Sequence, residues 1–403
     1  MALDTQPMEA KITWTETWIR WSMALFGAAL PLSIAAANVG GGLLCLGFFL
    51  HHALGKHPFP WRKTELKISW FGYLLAAFLA SGCGVDVSRS LWHLRPDLYK
   101  MVLYWLLLQS WTPGRFARYW RGYLCGSLLA ALAGILQVVA SGQGNGSLCR
   151  AHAWVHPVTY GEQMALALLG VSALLAKRVE FPLDLWKTAS AAVLLLGALL
   201  LSQTRGAWIG LSAGLGVLCV CSRVLRRWTL ILIAAGLLFV MLGPRSVSRT
   251  LRERGASILS TEGYSNRVRL ELWKTGWAIY RDHLFTGVGP ANFKTVFSRY
   301  HPEPLGEQTS WGNAHNIYLH QAAERGTVGL LALFYLFYRV GKLTFRKCRT
   351  APGPVTLWAW AGVISFLIMN LTESAFQDAE VWMQIACLVS GAEVLSEEKQ
   401  KLF

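Results

Sequence analysis

The histidine in the polar segment Asn313-Ala-His-Asn316 is the side chain of this 403-residue chain best suited to proton transfer. Imidazole titrates near neutral pH and accepts a proton from a hydroxyl nucleophile. His315 stands beside two amides and opens a segment that is polar but periodic. His320 and His301 are weaker candidates, because the first points elsewhere on the same helix and the second lies in a proline-bounded loop. A purely structural histidine is the alternative interpretation of His315.

Three arginines upstream of His315 are candidate ligands for an anion. Arg205 stands in Ser202-Gln-Thr-Arg-Gly-Ala-Trp208, and Arg267 and Arg269 stand near the start of a periodic segment. A guanidinium group stays charged and binds phosphate through two parallel hydrogen bonds. The alternatives are snorkelling for Arg205 and contact with lipid phosphates for the other two. Four further arginines are interpreted as surface charge: Arg245, Arg249, Arg252 and Arg254.

The residue pattern gives little support to metal or dinucleotide chemistry. The sequence has neither an Asp-x-Asp pair nor a His-Glu-x-x-His motif, and its eight cysteines show no metal or disulfide spacing. Gly287-Val-Gly289 lacks a third glycine and a preceding strand, so it predicts a tight turn instead. Glu162, Glu324 and Glu373 lie near membrane boundaries, where a carboxylate commonly caps a helix or pairs with arginine. We expect no metal and no cofactor.

Membrane helices must position these groups, because 54% of the chain is hydrophobic and only 15% is charged. That composition is typical of proteins that cross the bilayer many times. The predicted fold is an all-α polytopic membrane protein with about 12 transmembrane helices, each of roughly 20 residues or fewer where flanking side chains snorkel. The candidate spans are residues 18–37, 39–53, 68–82, 98–111, 119–140, 158–176, 183–201, 207–221, 228–242, 327–340, 355–371 and 381–395.

Lysine and arginine concentrate in alternate turns, which predicts that both termini are cytoplasmic. The first span is expected to act as an uncleaved signal anchor. The net charge of +16 is assigned partly to anionic lipid at the inner surface, and no nucleic acid partner is expected. The inner side carries Lys56, Arg62, Lys63, Lys67, Arg115, Arg118, Arg121, Lys177, Arg178, Lys187, Arg223, Arg226, Arg227, Arg339, Lys342, Arg346, Lys347 and Arg349.

The long segment 244–313 then lies outside the cell membrane, since long loops translocate despite their charge. Its residues 267–283 show apolar positions three to four apart and predict an amphipathic helix lying on the membrane surface. A second outer helix is predicted at 315–324, with a break at Arg325-Gly326. The chain is therefore divided into spans one to nine at 1–243, the outer loop with its catalytic motif at 244–326, and the last three spans with a cytoplasmic tail at 327–403.

Four motifs in this order resemble the O-antigen ligase and O-antigen polymerase superfamily of bacterial inner-membrane glycosyltransferases. They are Arg205-Gly after a mid-chain span, Arg269-Leu-Glu-Leu-Trp273, the Gly287-Val-Gly turn that leads to Phe293, and His315-Asn-Ile-Tyr-Leu319 followed by Glu324-Arg-Gly326. The resemblance covers about residues 199–333, and the rest of the chain matches only in hydropathy. It implies a multi-span fold of the GT-C-like type.

The resemblance also implies a reaction. The donor would be a glycan on undecaprenyl pyrophosphate, and for a ligase the acceptor would be a sugar hydroxyl of lipid A–core, at the periplasmic face of a Gram-negative inner membrane. Arg205 and Arg269, with Arg267, would hold the pyrophosphate, and His315 would act as base or orient the hydroxyl. Asn313, Asn316 and Glu324 would support the site. Transfer would be metal-independent and inverting, among membrane lipids and other O-antigen assembly proteins.

Two other functions stay open at this stage. An O-antigen polymerase would use the same donor and similar motifs but join repeat units to one another. A lipid or sugar transporter would place its charged or broken-helix sites near the middle of the bilayer, often in two related halves. In this chain the polar candidates gather at the outer boundary, and the two halves are not visibly related. These features favour an enzyme.

Overall fold

The computed structural model describes residues 14–54, 59–141, 148–175, 185–258, 264–305 and 309–396. Those residues form sixteen helices and no strand, which confirms the all-α class. The helices are α1 Trp14–Ala29, α2 Ile34–Leu54, α3 Lys67–Gly82, α4 Val87–Trp92, α5 Arg95–Ser110, α6 Pro113–Ser141, α7 Pro157–Leu174, α8 Leu185–Leu201, α9 Arg205–Cys221, α10 Arg223–Leu242, α11 Arg245–Ala256, α12 Tyr264–Asp282, α13 Phe293–Tyr300, α14 Ile317–Thr350, α15 Pro354–Met369 and α16 Ala379–Leu395.

The long helices form an antiparallel bundle with two distinct ends. At one end, which we call the site end, α7, α9, α14 and α16 begin, and Ile317 N donates to Asn370 O at 3.1 Å. At the opposite end Glu65 N donates to Glu393 Oε1 at 2.8 Å. Among the described residues four helices, α2, α6, α10 and α14, are long and apolar enough to cross a membrane, and shorter apolar helices lie beside them. These helices are consistent with a polytopic membrane protein. The number of twelve membrane crossings stays a prediction.

A single large apolar core joins the helices of the bundle. Its largest buried side chains are aromatic, and Trp111, Tyr119 and Tyr123 lie at its centre with almost no exposure. Helices α1 and α6 approach so closely that a Cβ atom on Gly122 would lie 2.0 Å from Ala24 O. Small residues at such a crossing let two membrane helices pack backbone to backbone.

Helix boundaries agree with the predicted spans except near the N-terminus and in α14, which continues to Thr350, ten residues beyond the predicted span 327–340. The predicted span 18–37 is interrupted: α1 ends at Ala29 and α2 begins at Ile34. Pro31 lies between them, and a proline cannot continue the hydrogen-bond ladder of a helix. Several predicted features lie outside the described residues: Lys56, Lys177, Arg178, part of the polar turn at 260–266, and the ends of the spans that were placed at 158–176 and 183–201.

The segment between α10 and α14 has its own small core. This core joins α12 to α13: it contains Val268, Leu272 and Ile279 of α12 with Phe293 and Phe297 of α13. The apolar face that the sequence places on the membrane surface is therefore covered by protein over much of its length. Of the large side chains on this apolar face of α12, only that of Trp277 is mostly exposed, at 55%. Neither α11 nor α13 was predicted, because α11 is strongly polar and α13 is short.

Candidate functional site

His315 lies at the site end in a strained backbone conformation. Its φ is +47°, in the left-handed region that residues with a side chain rarely adopt. The side chain of Asn313 holds this turn, because its Oδ1 accepts from His315 N at 2.8 Å. Asn313 is itself held by Ser374 Oγ at 2.8 Å and by Gln377 Oε1 at 2.9 Å. Strain of this kind persists where the surroundings impose it, and it is commonly found in functional sites.

The structure corrects the predicted start of the last outer helix. His315 is not its first residue, because α14 begins at Ile317 and Asn316 is its N-cap. The Asn316 Oδ1 accepts from the backbone N–H groups of Tyr318 and Leu319 at 3.0 and 3.1 Å. Asn316 therefore stabilises the helix end, and the turn before it directs His315 away from the helix.

Glu373 connects two of the candidate residues. Its Oε2 lies 3.4 Å from His315 Nδ1, and its Oε1 accepts a short hydrogen bond from Arg269 Nη2. The Glu373 side chain is only 4% exposed, against 36% for His315 and 19% for Arg269. We assign the proton of the neutral imidazole to Nδ1 from this contact. The Nε2 atom is then left as the group that can accept a proton.

Arg205 lies at the first turn of α9 and lines a polar cavity of about 720 Å³. Its Nη1 donates to Ser257 O at 2.8 Å, and its Nη2 donates to Asn266 Oδ1 at 2.6 Å. It thereby ties the end of α11 to the start of α12. Among the residues that the structure describes, four arginines and one glutamate are the charged residues around this cavity: Arg150, Arg205, Arg249, Arg254 and Glu253.

Two of these arginines are held in place by the segment before α9. Arg150 Nε donates to Ser202 O at 2.8 Å, and Arg254 Nε donates to Gln203 Oε1 at 3.3 Å. Burial lowers the pKa of Arg150, and the positive charges of Arg254, Arg269 and Arg205 lower it further against the opposing effect of Glu373. The cavity therefore carries an excess of positive charge, which a bound anion would relieve.

The arginine-lined cavity and His315 belong to one region of the molecule. A Cβ atom on Gly206 would lie 2.7 Å from Thr372 Oγ1 and 3.3 Å from Glu373 Cγ, so the residue after Arg205 packs against the loop that carries Glu373. Burial and then the positive charge of Arg150 lower the pKa of His156, and the nearby Glu373 carboxylate opposes this effect. An anion in the cavity would thus sit next to the His315–Glu373 pair.

A break in α14 fixes the outer part of that helix. Gly326 has φ +61° and ψ −164°, and the segment 284–289 inserts beside it. Val288 N donates to Ala323 O at 3.0 Å, and Gly289 N donates to Glu324 O at 2.8 Å. The break was predicted at Arg325-Gly326, and the structure confirms it. The predicted Gly-Val-Gly turn occurs as well, and it packs against the broken helix.

The remaining candidates lie apart from this arrangement. Glu324 is buried in α14, two residues before Gly326. Its Oε1 accepts a hydrogen bond from Phe293 N at 3.2 Å, and its Oε2 lies 3.4 Å from His320 Nε2. Arg267 is exposed, and because two residues along a helix turn the side chain by about 200° it points away from Arg269. Among the described residues no hydrogen bond or ion pair of Arg267 was found.

Sequence reasoning gave three residues of this region no specific role. Arg254 was interpreted as surface charge, Glu373 as an ordinary boundary carboxylate, and Arg150 was given no assignment. A usable signal was present for Glu373: residues 370–378 read Asn-Leu-Thr-Glu-Ser-Ala-Phe-Gln-Asp, a polar run between two apolar helices. For the two arginines the sequence held no such signal, because they come from separate loops.

Part of the chain matches the sequence model of a known protein family. The sequence model of a family described as O-antigen ligase matches residues 190–334, about a third of the chain. The matched stretch contains Arg205, Arg269 and His315, whereas Arg150 and Glu373 lie outside it. No curated protein matches the chain.

Proposed function

Since residues 190–334 match the sequence model of a family described as O-antigen ligase, we propose that this chain is an O-antigen ligase. It transfers a glycan from undecaprenyl pyrophosphate to a sugar hydroxyl of lipid A–core, in lipopolysaccharide biosynthesis. The site end faces the periplasm of a Gram-negative bacterium, and twelve crossings leave both termini in the cytoplasm. In this division residues 1–243 and 327–403 are membrane domains, and 244–326 is the outer loop.

The donor's pyrophosphate binds in the arginine-lined cavity. Arg205, Arg150 and Arg254 line its wall, and Arg269 offers the N–H groups that Glu373 does not use. Guanidinium groups at a membrane edge interact strongly with phosphate because the effective dielectric constant is low there. These charges stabilise the pyrophosphate most as it leaves with the electron pair of the bond to the sugar. We assign no such contact to Arg267, because it points away from Arg269.

The acceptor hydroxyl attacks the anomeric carbon while the bond from that carbon to the phosphate oxygen breaks. The hydroxyl proton passes to His315 Nε2, and Glu373 stabilises the imidazolium through Nδ1. One direct displacement inverts the configuration at the anomeric carbon. The observation that carries the proposal is the contact of His315 and Arg269 with the same buried carboxylate, Glu373, next to an arginine-lined cavity.

The test is transfer by the purified protein from glycan-linked undecaprenyl pyrophosphate to lipid A–core, with and without EDTA. His315→Ala is compared with His301→Ala, since His301 lies at the exposed end of α13 and contacts Glu303 O. We expect product with the parent protein and with His301→Ala in both conditions. With His315→Ala we expect a loss of roughly a hundredfold or more.

Each other outcome contradicts a definite part of the proposal. Elongation of the donor itself, without transfer to lipid A–core, would identify a polymerase. Unchanged transfer by His315→Ala at equal protein level would remove His315 from the reaction. Loss of product in EDTA would contradict metal-independent transfer.

A further inference from the structure

A second concave surface lies at the site end, on another side of the bundle. Helices α2, α5 and α16 enclose a groove of about 580 Å³ whose wall is almost entirely apolar. The side of the groove formed by α2 contains glycines, which leave room because they have no side chain. A Cβ atom added to Gly42 would have no other atom within 4 Å. The residues that line the groove and enter the argument are Asn38, Gly42, Arg95, Tyr99, Leu106 and Ala379.

The mouth of this groove is basic and aromatic. Arg95 stacks on Trp92 at 3.1 Å from the ring centroid, and Trp92 is 61% exposed. A second arginine, Arg89, lies in α4. Among the described residues, the guanidinium group of neither Arg89 nor Arg95 has an acidic side chain within 4 Å. Tyr99 Oη donates to Asn38 Oδ1 at 3.2 Å across the mouth. Tryptophan beside arginine is typical of the depth at which lipid headgroups lie.

The groove has the length of one lipid leaflet. From Arg95 to Leu106 helix α5 rises about 16 Å, at about 1.5 Å per residue. The hydrocarbon core of a bilayer is about 30 Å thick, so one leaflet contributes about half of that. A lipid with its headgroup at Arg95 would therefore place its acyl chains along the whole groove.

The loop between α15 and α16 connects the region of the arginine-lined cavity with the groove. Near the start of the loop, Thr372 and Glu373 pack against Gly206, which follows Arg205. Ala379, which directly follows the loop, lines the groove. A displacement needs the attacking and leaving groups on opposite sides of the reacting carbon. With the pyrophosphate in the cavity, the groove is the side from which the attacking hydroxyl would arrive.

We propose that this groove binds the acyl chains of the acceptor glycolipid, and that Arg95 binds a phosphate on its headgroup. This inference rests on the proposed function and adds the place where the acceptor lipid enters. The polyprenyl chain of the donor is assigned elsewhere, because its phosphates belong to the cavity beside α9. An exposed arginine without an acidic partner fits a phosphate-bearing acceptor, since the pair would form charge-assisted hydrogen bonds.

The first experiment fills the groove. Gly42→Phe places a ring in the groove without a clash at Cβ, and Gly72→Phe is its control because Gly72 of α3 is equally unobstructed and lies outside the groove. Transfer is measured in proteoliposomes while the mole fraction of lipid A–core or of the donor is varied. We expect Gly42→Phe to raise the KM for the acceptor roughly tenfold, by removing contacts of acyl CH₂ groups. The KM for the donor should stay unchanged, and Gly72→Phe should behave like the parent.

The second experiment tests the headgroup contact. Arg95→Ala is assayed with lipid A–core and with the same lipid after its headgroup phosphates are removed. We expect the parent protein to prefer the phosphorylated acceptor by roughly tenfold, and Arg95→Ala to lose that preference. Arg281→Ala is the control, because Arg281 is an exposed arginine at the end of α12.

The outcomes separate this proposal from the proposed function. A parent protein that transfers nothing to lipid A–core would overturn both. If the parent transfers and Gly42→Phe raises only the donor KM, the groove holds the polyprenyl chain and the proposal is wrong. If neither KM changes in Gly42→Phe, or if Arg95→Ala keeps the phosphate preference, ordinary membrane lipid occupies the groove and the proposal is wrong.

Discussion

At the scale of single residues, the site depends on one carboxylate that serves two partners. Glu373 is buried, yet it is paired with Arg269 and lies 3.4 Å from His315. A buried charge is tolerated when it is paired and hydrogen-bonded, and the Arg269 guanidinium is such a partner for one oxygen of Glu373. The other oxygen is then free to orient the imidazole. His315 and Arg269, which are 46 residues apart in the chain, therefore depend on each other through Glu373.

Glu373→Gln should preserve the shape of this contact and remove its charge. We expect turnover to fall by about tenfold or more, because an uncharged amide no longer stabilises the imidazolium that forms during proton transfer. The KM for the donor should change much less than kcat. Steady-state kinetics of the purified variant would check this, with Glu303→Gln as the control in an exposed loop. Parent-like turnover would show that Glu373 only supports the fold.

Asp378 gives a prediction on pH dependence. Burial raises its pKa to about 6, with contributions from Glu380 and Glu373, while Thr159 Oγ1 donates to its Oδ2 at 3.3 Å. A raised pKa means that the native protein keeps a proton that the unfolded chain has lost. This group therefore favours the folded state at low pH, and the benefit is lost as the pH rises through about 6.

Asp378→Asn keeps an acceptor for Thr159 and removes the cost of ionisation. The variant should melt at a higher temperature than the parent at about pH 7.5, and the difference should shrink between about pH 6.5 and 4.5. Thermal unfolding of the detergent-solubilised protein across that range is the measurement. Asp282→Asn, at an exposed position, should show no such trend. A difference that is constant with pH would mean that Asp378 is not the titrating group.

At the scale of elements, the break in α14 joins the outer segment to the bundle. The carbonyls of Ala323 and Glu324 lose their helical partners at Gly326 and accept from Val288 and Gly289 instead. Arg325, next to the break, pairs with Asp97 Oδ2 of α5 at 2.6 Å and donates to the Tyr73 hydroxyl of α3. The start of α14, which Asn316 separates from His315, is in this way anchored to two other helices.

Gly326→Ala should disrupt this junction. Its φ is +61°, and a Cβ atom would lie 2.2 Å from Phe285 O. We expect a loss of at least about 1–3 kcal/mol of stability from backbone strain alone, and a further loss from the clash. Gly341→Ala on the same helix is the matched control, because its nearest neighbour would be Trp360 at 4.0 Å. Thermal unfolding of both variants is the measurement, and equal melting temperatures would contradict the assigned role of the break.

At the scale of the whole molecule, charge and function are divided between the two ends of the bundle. The site end carries His315, Glu373 and the arginine-lined cavity, and both substrates are proposed to reach it from different sides. The opposite end carries basic residues that include Arg118, Lys342 and Arg349. Positive charge at that end agrees with the cytoplasmic side on which lysine and arginine are enriched.

The orientation can be measured with single-cysteine variants in a background from which all eight native cysteines have been removed. Arg281→Cys should react with a membrane-impermeant maleimide in cells whose outer membrane alone has been opened, because the end of α12 is proposed to be periplasmic. Arg118→Cys, at an exposed position of α6, should react only after the inner membrane has been lysed. The reverse pattern would invert the proposed topology, and labelling of both positions in intact inner membranes would contradict the antiparallel bundle.

The sequence by itself determined the helical class, most helix positions and the broken helix. Apolar runs separated by basic turns can hardly form anything but membrane helices, since every backbone group must be satisfied within its own segment. Arg325-Gly326 marked the break because only glycine adopts such a conformation without strain. His315 and Arg269 were found as candidates because their residue types limit the chemistry that they can perform.

Only the tertiary structure decided which of these residues meet. Arg150, Arg205 and Arg254 come from three segments far apart in the chain, and Glu373 reaches Arg269 across 104 residues. Hydropathy describes the face of one helix at a time, so it could not reveal that α12 buries its apolar side under α13. The groove beneath Arg95 was hidden for the same reason, because three helices must pack together before it exists. Contacts of this kind depend on packing between distant segments, and local sequence patterns do not specify that packing.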